Sequence, residues 1–223
     1  MNDKNLTLPK KKYEYGYELA YQIASKQLAS LTAIEQQCLN SGARYIDAGK
    51  VSIDYLNQSY LISIPTAEVS TLTGKEKVPI RDTILILHYF IQAKGTPLSH
   101  RLVAYRELKE GSLYAPVFYQ RALKPLVDHF GNEPQRLLDT AGALGGQPAR
   151  FGDVAVTIDA FPRVPITLAL WRGDDEFPPE GNLMFDSTVP DYLTSDDIHA
   201  LCEIIAWRLV KLLKAGGDSP DKR

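Results

Sequence analysis

The chain has 223 residues, of which 44% are hydrophobic and 23% charged, with a formal net charge of −2 and a pI near 6.1. That balance fits a globular core and excludes a collagen-like or poorly hydrophobic, disordered chain. It carries no general nucleic-acid footprint, and no apolar run reaches the ~18 residues that a membrane span needs.

Residues 1–12 read as a flexible polar tail whose only basic run is Lys10-Lys11-Lys12. No apolar h-region of a secretory signal is present, so the expected location is the cytoplasm. Cys38 and Cys202 are the only cysteines. Two isolated thiols cannot build a four-cysteine zinc site or an iron–sulfur cluster, and they do not suggest a disulfide framework.

From Tyr13 to about Asn40 the spacing predicts one helix, with Leu19, Ala20, Ile23, Ala24, Gln27, Leu31 and Ile34 near one face. Asn40-Ser41-Gly42 is a natural stop, because Asn and Gly tolerate a left-handed cap. Alternation in Val51–Tyr55 and Tyr60–Ile64 predicts a hairpin that turns at Asn57-Gln58, with a third short strand over Ala67–Leu72. Pro79 opens and Gly95 closes a predicted central helix with little polar face. A strand over Thr83–Leu87 is the alternative there. Leu102–Leu108 reads as a short extended segment, and Tyr114–Phe130 and Glu133–Ala143 as helices. Gly142-Ala143-Leu144-Gly145-Gly146 follows a helix rather than a strand, so it reads as a helix-ending turn and not as a phosphate loop.

Val154–Ile158 and Ile166–Leu170 alternate as a second hairpin, joined by Phe161–Pro165. The acidic stretch that follows is read as a loop. A capping-box-like Thr194/Asp197 starts the last helix, whose apolar positions from Ile198 to Leu212 keep a 3.6-residue period. The expected fold is α+β: antiparallel β-hairpins packed with about five helices, the last long and amphipathic. It forms one domain over 13–215, with 216–223 a flexible C-terminal tail.

No nucleophile elbow, HExxH or paired-histidine spacing occurs. The chemistry-bearing stretch is Phe161–Asp186, FPRVPITLALWRGDDEFPPEGNLMFD. Its acids Asp174, Asp175, Glu176, Glu180 and Asp186 do not follow the ligand spacing of a calcium-binding loop. They are read first as builders of a turn and second as the rim of a non-metal ligand site. No metal site is assigned.

The segments YRELKEGSLYAPVFYQRALKPLVDHFG, LGG, FPRVPITLALWRGDDEFPPEGNLMFD and YLTSDDIHAL resemble a bacterial and archaeal family called domain of unknown function 3786. The resemblance runs from about Tyr13 to Leu213. It is most specific at Pro162, Pro165, Trp171, Gly173, Asp174, Glu176, Phe177, Pro178, Phe185 and Asp186. It implies no assigned activity. It implies an association with anaerobes and with corrinoid or one-carbon metabolism, since some members carry an N-terminal four-cysteine cluster domain. This chain lacks that domain, so no iron–sulfur cluster is expected.

Two functional expectations stand. The first is a binding or accessory module for a small molecule or a partner protein, with a corrinoid or other tetrapyrrole as the implied cofactor class. Its candidate contacts are Arg163, Trp171, Arg172, Asp174 and Glu176 with Tyr114, Tyr119, Arg106 and Arg121. The second is a carboxylate-dependent hydrolase or transferase, with Asp174 and Glu176 assisted by His100 or His129. A structural or dimerising domain is a third alternative, and the oligomeric state is left open.

Overall fold

The computed structural model describes residues 10–74 and 76–217. The chain is α+β, with two antiparallel sheets and a long C-terminal helix. α1 (Lys10–Ala29) and α2 (Ile34–Ser41) lead into β1 (Arg44–Asp47), β2 (Lys50–Tyr55), β3 (Gln58–Ser63) and β4 (Val69–Thr71), which form a sheet in chain order. α3 (Ile80–Gln92) crosses to β5 (Leu102–Ala104), followed by α4 (Gly111–Phe118), α5 (Lys124–Phe130) and α6 (Gln135–Ala141). β6 (Gln147–Ala149), β7 (Val154–Phe161), β8 (Val164–Trp171) and β9 (Glu180–Asp186) complete a second sheet in the order β5-β9-β8-β7-β6. α7 (Ser195–Gly217) closes the fold. No helix among the described residues is long and apolar enough to cross a membrane.

The first predicted helix is two helices. It breaks after Ala29, and the break lets α2 carry Gln37 to the end of α3, where its Nε2 donates to the carbonyls of Phe90 and Ala93. These carbonyls have no partner within their own helix, so the contact from α2 satisfies them. α1 buries Ala24 and Leu28 but leaves Leu19 and Ile23 half exposed, contrary to the predicted face. Gly42 caps α2 in the left-handed conformation (φ 72°), as its sequence position predicts.

The first hairpin turns one residue earlier than expected, on Leu56 and Asn57, both with positive φ. Leu56 tolerates this because its side chain is buried and its N–H donates to Ala160 O on β7. The second hairpin turns on Pro162-Arg163 alone, and Phe161 pairs with Val164 inside the ladder. Residues 180–186, expected as loop, are strand β9, paired along β8 from Ile166↔Phe185 to Trp171↔Glu180. Of the predicted tails, residues 10–12 and 216–217 lie in helices. Residues 1–9 and 218–223 fall outside the described residues.

The core joins both sheets through aromatic contacts. Tyr89 on α3 stacks on Phe161 with ring centroids 4.2 Å apart, and Phe161 lies 4.8 Å from Tyr55. Each such ring contributes about 1.5–3 kcal/mol by burial. Buried Asp82 is matched within this core by the Tyr55 hydroxyl at 2.8 Å and by Arg208. α7 begins with a reciprocal cap, Thr194 Oγ1 bonding Asp197 Oδ2 at 2.6 Å while Asp197 N–H donates back to Thr194.

Candidate ligand-binding cleft

β8 ends at Trp171 because the next residues are held in a tight loop. Arg172 N–H donates to Asp153 at 2.8 Å. Asp174 Oδ1 accepts the N–H groups of Glu176 (2.9 Å) and Phe177 (2.7 Å), and Asp174 N–H donates to Phe177 O. Those amides hold the Asp174 carboxyl below the usual carboxylate range. Pro179 then packs between two glycines. A Cβ on Gly173 would lie 2.6 Å from Pro179 Cδ, and one on Gly131 would lie 2.6 Å from Pro179 Cβ. The loop thus returns the chain so that Glu180 pairs directly with Trp171.

The opposite wall comes from α4. Glu107 Oε2 accepts Ala104 N–H at 2.7 Å and fixes the single turn Tyr105–Glu107. Gly111 starts α4 where any Cβ would come within 1.9 Å of Tyr105 O. Tyr105 then stacks flat on Phe118 at 3.9 Å, and burial pushes the Tyr105 phenol up to about 12. His199 sits edge-on to both rings, with a buried Nε2 that has no hydrogen-bond partner among the described residues. Burial holds its pKa below the ordinary histidine value. After Phe118 the helix widens into a π turn, Tyr119–Leu123, in which Lys124 N–H bonds the Tyr119 carbonyl. α4 itself is apolar nearly all round, GSLYAPVF, yet leaves Leu113, Tyr114 and Val117 exposed.

Between these walls lies an open cleft of about 400 Å³. Arg106, Phe118, Tyr119, Trp171, Glu180 and Asn182 are among its lining residues. Three of the predicted site residues, Arg106, Tyr119 and Trp171, therefore converge here. Tyr119 is 44% and Trp171 40% exposed, so both rings remain available to a ligand.

The other predicted residues do not line this space. Arg172, Asp174 and Glu176 sit exposed in the adjoining loop, and Tyr114 and Arg121 are exposed on the 111–130 helix. Arg163 turns the far end of the same hairpin, eight residues and roughly 26 Å of strand from Trp171. Its backbone N–H bonds the Tyr89 hydroxyl there. The sequence names no contact role for Phe118, Glu180 or Asn182, and reads Glu180 only as part of the acidic rim, Asn182 only as part of the same loop. For the last two the signal was the alternation of Gly181, Leu183 and Phe185, which marks a strand where a loop was expected.

Asp174 and Asp186 have separate structural partners. Asp186 is buried and accepts five hydrogen bonds, from the N–H and hydroxyl of Ser99, the N–H of His100, and the N–H and hydroxyl of Thr188. Burial opposes its charge, but these donors outweigh it and hold the pKa at about 2. His129 Nδ1 pairs with Pro125 O within its own helix. Among the described residues no group of three or more His, Cys, Asp or Glu side chains gathers to hold a metal.

A family model described as Domain of unknown function (DUF3786) matches residues 33–208, and the chain belongs to that family. No curated protein and no solved structure matches it.

Proposed function

We propose that this member of the family is a binding or accessory module of the cytoplasm that holds its ligand in the cleft between β9 and α4. The observation that carries this reading is the convergence of two half-exposed rings, Tyr119 and Trp171, on one open cleft. Its volume of about 400 Å³ falls in the ordinary range of ligand sites. Aromatic faces there favour stacking and cation–π contacts, and Arg106 offers a bidentate partner for a carboxylate or phosphate. A link to corrinoid or one-carbon metabolism is the pathway-level form of the proposal. A corrinoid exceeds this volume, so the cleft would grip one edge of such a cofactor.

The test is mass spectrometry of what co-purifies with the native protein, beside Trp171→Ala and Tyr119→Ala. A species retained by the wild type and lost from both variants is the expected result. Equal retention by all three removes the cleft as the site. Thermal shifts with aquocobalamin and haem test the pathway-level form. Ligand at a hundredfold excess over its Kd stabilises by about 2.7 kcal/mol, so an unmoved Tm for both probes overturns it.

A further inference from the structure

β5 covers only the C-terminal end of β9. Leu102, Val103 and Ala104 pair with Asp186, Phe185 and Met184, and the chain then leaves the sheet in the turn Tyr105–Glu107. β8, on the other side, pairs with β9 as far back as Glu180. Among the described residues, the outer edge of β9 from Glu180 to Leu183 thus has no neighbouring strand. The cleft is the space beside that edge: Ala104, Tyr105 and Arg106 stand at one end, and Glu180, Gly181 and Asn182 run along it.

The alternation of an antiparallel ladder tells which groups face this space. Ser187, just after β9, donates its N–H to Arg101 O on the β5 side. Odd-numbered residues of β9 therefore turn their N–H and C=O toward β5. In the uncovered stretch these are Gly181 and Leu183, which lie beyond the last β5–β9 pair, Ala104↔Met184.

We infer that the cleft takes an extended peptide segment of a partner protein as an added strand on β9, in line with β5. This rests on the cleft being the binding site and names its occupant. Charge supports the choice. Arg106 and Glu180 line one cleft with opposite signs, and neither joins an ion pair among the described residues. They mark the two ends of about four residues of strand, roughly 13 Å. A segment running in the direction of β5 meets Arg106 first and Glu180 last. It fits when its first residue is acidic, its last is basic, and an aromatic or branched side chain lies between Tyr119 and Trp171. Main-chain bonds then supply affinity and the flanking side chains supply selectivity. The short length of the open edge and its terminal charges limit indiscriminate pairing.

The experiment selects a displayed random peptide library on the full chain, against a Trp171→Ala/Tyr119→Ala variant. Clones enriched on the wild type with an acidic-to-basic order are expected. The best clone, made as a capped peptide, should slow amide exchange at Gly181 and Leu183. It should lose binding on N-methylation of its central residues. Arg106→Glu/Glu180→Lys should weaken it about tenfold, and a charge-exchanged peptide should restore binding to that variant. No enrichment over the double variant overturns the inference, as does a clone that ignores N-methylation. A co-purifying small molecule lost in Trp171→Ala, with no enriched peptide, would keep the cleft as a site and remove the peptide from it.

Discussion

His88 Nδ1 lies 2.7 Å from Asp197 Oδ1, and the other oxygen of the same carboxylate takes the Thr194 hydroxyl at 2.6 Å. One buried acid therefore caps α7 and ties it to α3. Burial opposes the Asp197 charge, but His88 and Thr194 outweigh it and keep the pKa below the ordinary carboxylate value.

Asp197→Ala removes a cap and a charged hydrogen bond together. The expected cost is about 2–4 kcal/mol in urea unfolding, the sum of the two losses. A cost below that of a cap alone would show that the His88 contact adds nothing.

Asp186 predicts the acid limb of stability. Its folded pKa is about 2, below the unfolded carboxylate value near 4. Its contribution is thus fully present above about pH 4 and is lost as pH falls from there toward 2. Asp186→Asn, followed by unfolding midpoints across that window, should flatten the fall. An unchanged slope would assign the acid sensitivity to other groups.

Gly131→Ala drives a methyl into Pro179 and into the Val127 carbonyl, which a Cβ would approach to 2.5 Å. Overpacking of this kind costs about 1–3 kcal/mol. Amide exchange should also rise through residues 172–179, because Pro179 anchors that loop. Gly142→Ala is the contrast: a Cβ there meets nothing within 4 Å and the backbone is already helical. It should be neutral or stabilising by up to about 1 kcal/mol.

Asp174→Ala should speed exchange at the amides of Glu176 and Phe177, which its carboxylate accepts. Asp174→Asn keeps an acceptor oxygen and should do so less. Equal exchange in both variants and the wild type would show that the loop holds without this side chain.

Local chemistry made much of this molecule readable from its sequence. The Thr194/Asp197 cap, the Gly42 stop and the strands of the two hairpins follow from short-range rules and match the structure, though both turns are placed differently. Readings failed where tertiary partners decided. The break after Ala29 is set by the reach of Gln37 to α3, and β9 is a strand because β8 stands beside it. Arg163 and Trp171 lie close in sequence, yet a strand keeps them at opposite ends, while Arg106 comes from 65 positions away to share the cleft. That meeting depends on the β5–β9 pairing, which no local pattern encodes.

The π turn at Tyr119–Leu123 has a consequence for how this surface arose. Relative to an α-helix it accommodates one additional residue, which advances the helical phase by about 100°. Upstream, α4 shows Leu113 and Val117 to solvent; downstream, α5 buries Pro125, Leu126, Val127 and Phe130. A single helical wheel cannot describe both halves. Deleting one residue here would restore a uniform helix and swing Tyr119 away from Trp171. The aromatic rim and the Phe118–Tyr105 stack thus turn together on one codon.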